Sequence, residues 1–94
     1  MLTGICEYQL LLPGAHSLKE KRSRLKSLQA RLGNKFNAAI CESGDQELWQ
    51  RARIGIAVVG NERRHVENML DNITAFIESF SDEIILLQAD REIL

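Results

Sequence analysis

The residues Val66, Met69, Leu70, Ile73, Phe76, Ile77 and Phe80 recur at i, i+3, i+4, i+7, i+10, i+11 and i+14, the spacing of one apolar face on an α-helix. A face this long and this regular must be covered by another layer of structure. The first ten residues suggest that layer. From Thr3 to Leu12 one face carries Gly4, Cys6, Tyr8, Leu10 and Leu12 and the other Thr3, Glu7 and Gln9, the period of two of a half-buried strand.

Punctuation between the periodic runs sets the element order. In "LPGA", Pro13 presets φ for the second position of a turn and Gly14 tolerates the positive φ of the third, which predicts a type II turn. Ser17 with Glu20 forms a capping box that starts a helix, on which Leu18, Leu25, Leu28 and Leu32 make an apolar stripe. Gly33 and Asn34 are expected as its left-handed C-cap. "KFNAAICES" and "RARIGIAVVG" are strand-like runs joined by the polar "GDQEL". Asn61 is expected to cap the second helix, and "EIILLQAD" to form a final strand that is apolar on both faces.

The order strand, helix, strand, strand, helix, strand defines an α+β, ferredoxin-like split βαβ fold (βαββαβ). Its four-stranded antiparallel sheet has the order 4-1-3-2, with two helices on one face. No linker or repeat interrupts residues 1–94, which are read as a single ferredoxin-like domain. In that order the first and second strands flank the third, so Cys6 and Cys41 would lie about 9 to 10 Å apart, too far for a disulfide. Both are expected as buried, reduced thiols. The longest apolar run, Ile84–Leu87, is far too short for a membrane span, and "MLTGICEYQL" lacks a basic leader region. A cytoplasmic protein is the expectation.

The net charge of −1 conceals two opposed fields. Lys19, Lys21, Arg22, Arg24, Lys26, Arg31 and Lys35 face only Glu20 in the first helical region, whereas acids dominate after Glu62. On a helical projection Lys19, Arg22 and Lys26 line one flank of the leucine stripe, and Arg24 and Arg31 the other. Lys21 falls on the stripe, from which its ammonium is expected to snorkel to water.

"HSLKEKR" after a strand ending in "LP", followed by "KFN", "WQRARIGIAVV" and "FIE", resembles the YlxP-like family of small bacterial proteins, domain of unknown function 503, over nearly the whole chain. That resemblance implies a ferredoxin-like fold and a gene set among those of translation factors, beside that of a ribosome-binding factor. It implies no established activity.

Cations on both flanks of an exposed helix can straddle a phosphate backbone, and each neutralised phosphate releases counterions. The competing interpretation is a solvated helix face. The expected nucleic-acid or anion-binding residues are His16, Ser17, Lys19, Lys21, Arg22, Arg24, Lys26 and Arg31. His16 and Ser17 lie at the helix N-terminus, where backbone N–H groups favour anions. Trp49, Arg51 and Arg53 join them, because an indole beside guanidiniums can stack on a base or pack at an interface. Ile5, Glu7, Arg53 and Gly55 stand where an RNA-recognition module of the ribonucleoprotein type would carry aromatics, so that mode is not expected.

Signs of catalysis are thin. There is no phosphate loop, H-E-x-x-H or nucleophile elbow, and the histidines and cysteines lack ligand spacing. Ferredoxin-like enzymes that cleave acyl phosphates need an arginine in a glycine-rich loop after the first strand, and "LPGAHS" has none. No enzymatic activity, metal or cofactor is expected. The leading expectation is a non-catalytic RNA- or ribosome-associated module whose partner is ribosomal RNA or a ribosomal subunit. The alternative is a homo-oligomeric interaction module using the open sheet face. In either case a homodimer is expected through Ile5, Leu11, Ile85 and Leu87, apolar residues that a monomer would leave in water.

Overall fold

The computed structural model describes all residues, Met1–Leu94. The elements are β1 (Leu2–Leu11), α1 (Leu18–Lys35), β2 (Ala39–Gly44), β3 (Arg51–Gly60), α2 (Arg63–Glu78) and β4 (Ile85–Ile93). All strand pairs are antiparallel and the sheet order is β2-β3-β1-β4, so the chain has the ferredoxin-like α+β fold its periodicities predict.

The period of two sorts the two sheet faces. Gly4, Cys6, Tyr8 and Leu10 of β1 and Ala52, Ile54, Ile56 and Val58 of β3 point to the helices and are buried. They meet Leu25, Leu28 and Leu32 of α1 and Val66, Leu70, Ile73 and Ile77 of α2 in one apolar cluster. Each fully buried Leu or Ile side chain there contributes roughly 1.5–3 kcal/mol. Tyr8 brings a polar tip into the core, and its hydroxyl bonds Thr74 Oγ1 at 2.7 Å. Burial pushes the Tyr8 phenol well above its ordinary pKa and raises that of the Cys6 thiol.

Several local expectations are corrected. The Leu12–Ala15 turn closes with Ala15 N–H donating to Leu12 O at 3.1 Å, yet no glycine has positive φ, so it is not type II. Gly14 instead makes room for the Arg24 guanidinium, whose Nη1 would lie 3.3 Å from an added Cβ. Gly33 and Asn34 stay helical, and α1 ends at an extended Phe36 whose N–H donates to Leu32 O at 2.8 Å. Phe36 packs edge-on against Phe76 with ring centroids 5.8 Å apart, and that tertiary contact outweighs the local stop signal. The N-cap of α2 is Glu62 rather than Asn61, without a side-chain cap bond.

Cys41 is exposed, not buried. Cys6 pairs with Ile56 and Ile56 with Ile40, which puts Cys41, one residue on, on the opposite sheet face from Cys6. β4 carries a bulge opposite Gln9 and Leu10, which leaves Leu87 out of the pairing. Leu86 packs on the core, while Ile85 and Leu87 are each 44% exposed.

Candidate nucleic-acid interface

The N-terminus of α1 is built by its own side chains. Ser17 Oγ accepts from Glu20 N–H at 3.1 Å, and Glu20 Oε2 accepts from His16 N–H at 2.8 Å, a capping box whose return bond falls on the residue before the N-cap. Two donors that an anion would need are therefore engaged within the chain. The His16 side chain remains exposed and that of Ser17 partly so.

Lys21 departs from the expectation. It is 1% exposed, and its ammonium points inward rather than to water. It donates to Asp45 O and lies 3.3 Å from Glu42 Oε2. A charge on the buried stripe is stable only when paired and hydrogen-bonded; β2 supplies the Glu42 carboxylate and the β2–β3 loop the Asp45 carbonyl. Asp45, at φ 57°, turns the loop so that its carbonyl reaches Lys21 while its carboxylate accepts from Arg53 Nε at 3.2 Å. Arg53 also donates to Glu7 at 3.2 Å, and Glu7 accepts from Ser43 Oγ at 2.8 Å. Hydrogen bonds to Asp45 and Glu7 hold the Arg53 guanidinium above its ordinary pKa. The result is a polar chain running from the inner side of α1 round the loop to the open sheet face.

Gln50 forms a second tie. Its Nε2 donates to Pro13 O and Ala15 O, each at 3.2 Å, and its backbone carbonyl accepts from Leu12 N–H at 2.8 Å. "HSLKEKR" and "WQRARIG" are thus neighbours in space. Asp45 and Gln50 fall in "GDQELWQR", the hairpin end expected to act with the first helix, but neither they nor Glu42 were named as binding residues. The one signal for Glu42 and Asp45 was Lys21 itself, a cation on a buried stripe that required partners from elsewhere, and Gln50 had none.

These ties divide the candidate residues. Lys21, Arg24 and Arg53 have acid partners; Arg24 Nε lies 3.3 Å from Glu83. Lys19, Arg22, Lys26 and Arg31 on α1, and Arg51 on β3, are exposed with no carboxylate in salt-bridge range. Lys35 instead lies over the Phe76 ring at 5.2 Å. Trp49 is 54% exposed in the loop that meets the start of α1. Arg31 lies toward the other end of the helix, about 18 Å along the axis from Lys19.

Between α1 and the edge strand β2 runs a groove of about 360 Å³ lined by Arg22, Leu25, Lys26, Gln29, Ile40, Cys41 and Glu42. Because Lys21 pairs with Glu42 at its inner side, the groove's field is set by Arg22 and Lys26. No group of three or more His, Cys, Asp or Glu side chains is placed to hold a metal ion, and no helix is long and apolar enough to cross a membrane.

The family model described as "Protein of unknown function (DUF503)" matches residues 3–91. A protein of Bacillus subtilis (strain 168) named "Uncharacterized protein YlxP" is 43% identical over 81 residues, covering 86% of this chain and 88% of its own length. With a match spanning both ties, from the α1 start to the β2–β3 loop, the chain belongs to the DUF503 family of proteins of unknown function.

Proposed function

We propose that the protein is a non-catalytic RNA-binding module whose target is ribosomal RNA or a ribosomal subunit. The observation that carries this reading is the distribution of unpaired cations. Once ion pairs are assigned, Lys19, Arg22, Lys26 and Arg31 remain free on the outer side of α1, and two of them border the groove beside β2. A sugar-phosphate backbone lying along the helix would meet Lys19, Arg22 and Lys26 on one flank, with Arg31 reaching it across the solvent side from the other flank. Trp49, beside the helix start, would serve as a stacking platform. The ribosomal target follows from the translation-factor setting that the family resemblance implies. Filter binding of the purified protein to ribosomal RNA and to isolated subunits tests it, and a lack of micromolar affinity for any of them overturns it.

A second reading, a homodimer across the open sheet face, is favoured by the exposure of Ile85 and Leu87 beside half-buried Leu11, with Ile5 further along β1. Sedimentation equilibrium at tens of micromolar protein decides it. A dimer that Leu87→Lys converts to a folded monomer supports the reading, and a 10.7 kDa species in both proteins refutes it.

A further inference from the structure

The open face of the sheet also holds a trough of about 510 Å³, within the roughly 300–1,000 Å³ range of small binding sites. Its floor is Ala39, Gly55 and Ala57, small residues of β2 and β3 that leave the space open, and Ile5 forms an apolar wall. Along the β4 side stand Asp90 and Glu92. Neither has a cationic partner. Asp90 accepts only from Gln88 Nε2 at 3.0 Å, and Arg91 between them pairs with Asp71 of α2 at 2.9 Å. The nearby Arg53 is held by Glu7 and Asp45.

We propose that this trough binds a cationic amphipathic protein segment, an extended stretch whose apolar side chain fills the space over Gly55 and Ala57 while an adjacent lysine or arginine reaches Asp90 and Glu92. Charge selects the partner. The uncompensated carboxylates repel nucleic acid, so the two sides of the molecule take oppositely charged ligands. A second copy packed on this face offers the same carboxylates, and its unpaired α1 cations lie on the far side of the sheet. The cation it could bring, Arg51, sits in the Leu11–Ile85 row, four residues along β1 from Glu7, or about 13 Å from the trough. This inference goes beyond the RNA-binding reading and does not depend on it.

Cys41 lines the trough and is exposed, whereas Cys6, also at its border, is 2% exposed, so thiol chemistry reports on occupancy. The probes are a fluorescein-labelled peptide of Leu-Lys repeats and its Leu-Glu counterpart, titrated by anisotropy, with the rate of Cys41 modification by Ellman's reagent measured alongside. The Leu-Lys peptide is expected to bind, the Leu-Glu peptide not to, and bound Leu-Lys to slow Cys41 modification severalfold. Replacing Asp90 and Glu92 together by Lys should weaken the complex about tenfold, the scale of two lost exposed ion pairs. Ala57→Phe should block it by filling the trough, with far-UV circular dichroism confirming an intact fold. Equal binding of both peptides, or Leu-Lys binding that leaves Cys41 modification unchanged, would overturn the proposal. So would a Cys41 thiol already protected in the free protein at tens of micromolar, which would give the trough to a second copy.

Discussion

Replacing Lys21 by Met tests the joint between α1 and the β2–β3 loop. Methionine keeps the unbranched apolar stem on the leucine stripe, so packing is nearly conserved and the change is mainly one of charge. Removing one partner of a buried ion pair costs about 3–5 kcal/mol, because the other charge is left uncompensated. Lys21 is 1% exposed but Glu42 is 23% exposed, so water can partly solvate the abandoned carboxylate. The Asp45 carbonyl also keeps the Leu48 N–H, at 3.1 Å. The expected loss is therefore about 2–3 kcal/mol, set against the roughly 5–14 kcal/mol total of a domain this size. Urea unfolding followed by circular dichroism should show a lower midpoint with an unchanged slope. Adding Glu42→Gln should recover about 1–2 kcal/mol, because it removes the orphaned charge. A loss below about 0.5 kcal/mol, or strict additivity of the two changes, would refute the pairing. The same variant should weaken RNA binding, since an unneutralised Glu42 would face the groove beside Arg22 and Lys26.

Two further predictions concern the core. An added Cβ at Gly4 would lie 2.5 Å from Val66 Cγ1, so Gly4→Ala should destabilise the protein by about 1–3 kcal/mol through overpacking. Combined with Val66→Ala, which vacates that space, thermal melts should show less destabilisation than the sum of the two. Tyr8 and Cys6 have folded pKa values raised by burial, so their contribution is complete below the ordinary values near 8.5 for Cys and 10 for Tyr. It is lost as pH rises through those values toward the folded ones, and the urea midpoint should fall between about pH 9 and 11. Tyr8 is the one tyrosine, so absorbance at 295 nm reads it directly, and a reversible phenolate transition near pH 10 in the folded protein would contradict its burial.

How much of this was legible in the sequence depended on the range of the forces involved. Periodicity gave the element order, and Ser17 with Glu20 gave the α1 start correctly, because a capping box is decided within four residues. The ends that failed were settled by distant partners. Gly33 and Asn34 look like a helix stop, but Phe36 is anchored on Phe76 of another helix. Lys21 could be placed on the buried stripe, yet its partners Glu42 and Asp45 lie on β2 and the loop after it, whose approach follows from the sheet, not from local spacing. Cys41 was misplaced because the face it occupies is fixed by the register of β2 on β3. The basic face of α1 was largely readable, since cations on a helix flank stay there. Which of them remain unpaired was not, and Arg24 and Arg53 proved to be held by acids far away in the chain or on a neighbouring loop.

The central claim is that the unpaired cations of α1 bind RNA, and the salt dependence of that binding tests it most directly. Anisotropy of a fluorescein-labelled single-stranded fragment of ribosomal RNA, titrated from 50 to 200 mM salt, should give a slope of log K against log salt near −2.8 for about four neutralised phosphates, a roughly 50-fold loss of affinity. The combined Lys19→Gln, Arg22→Gln and Lys26→Gln variant should bind more weakly, with a slope near −0.7 and a loss below about threefold. A slope unchanged by the triple substitution, or no measurable binding by the native protein at 50 mM salt, would contradict the account.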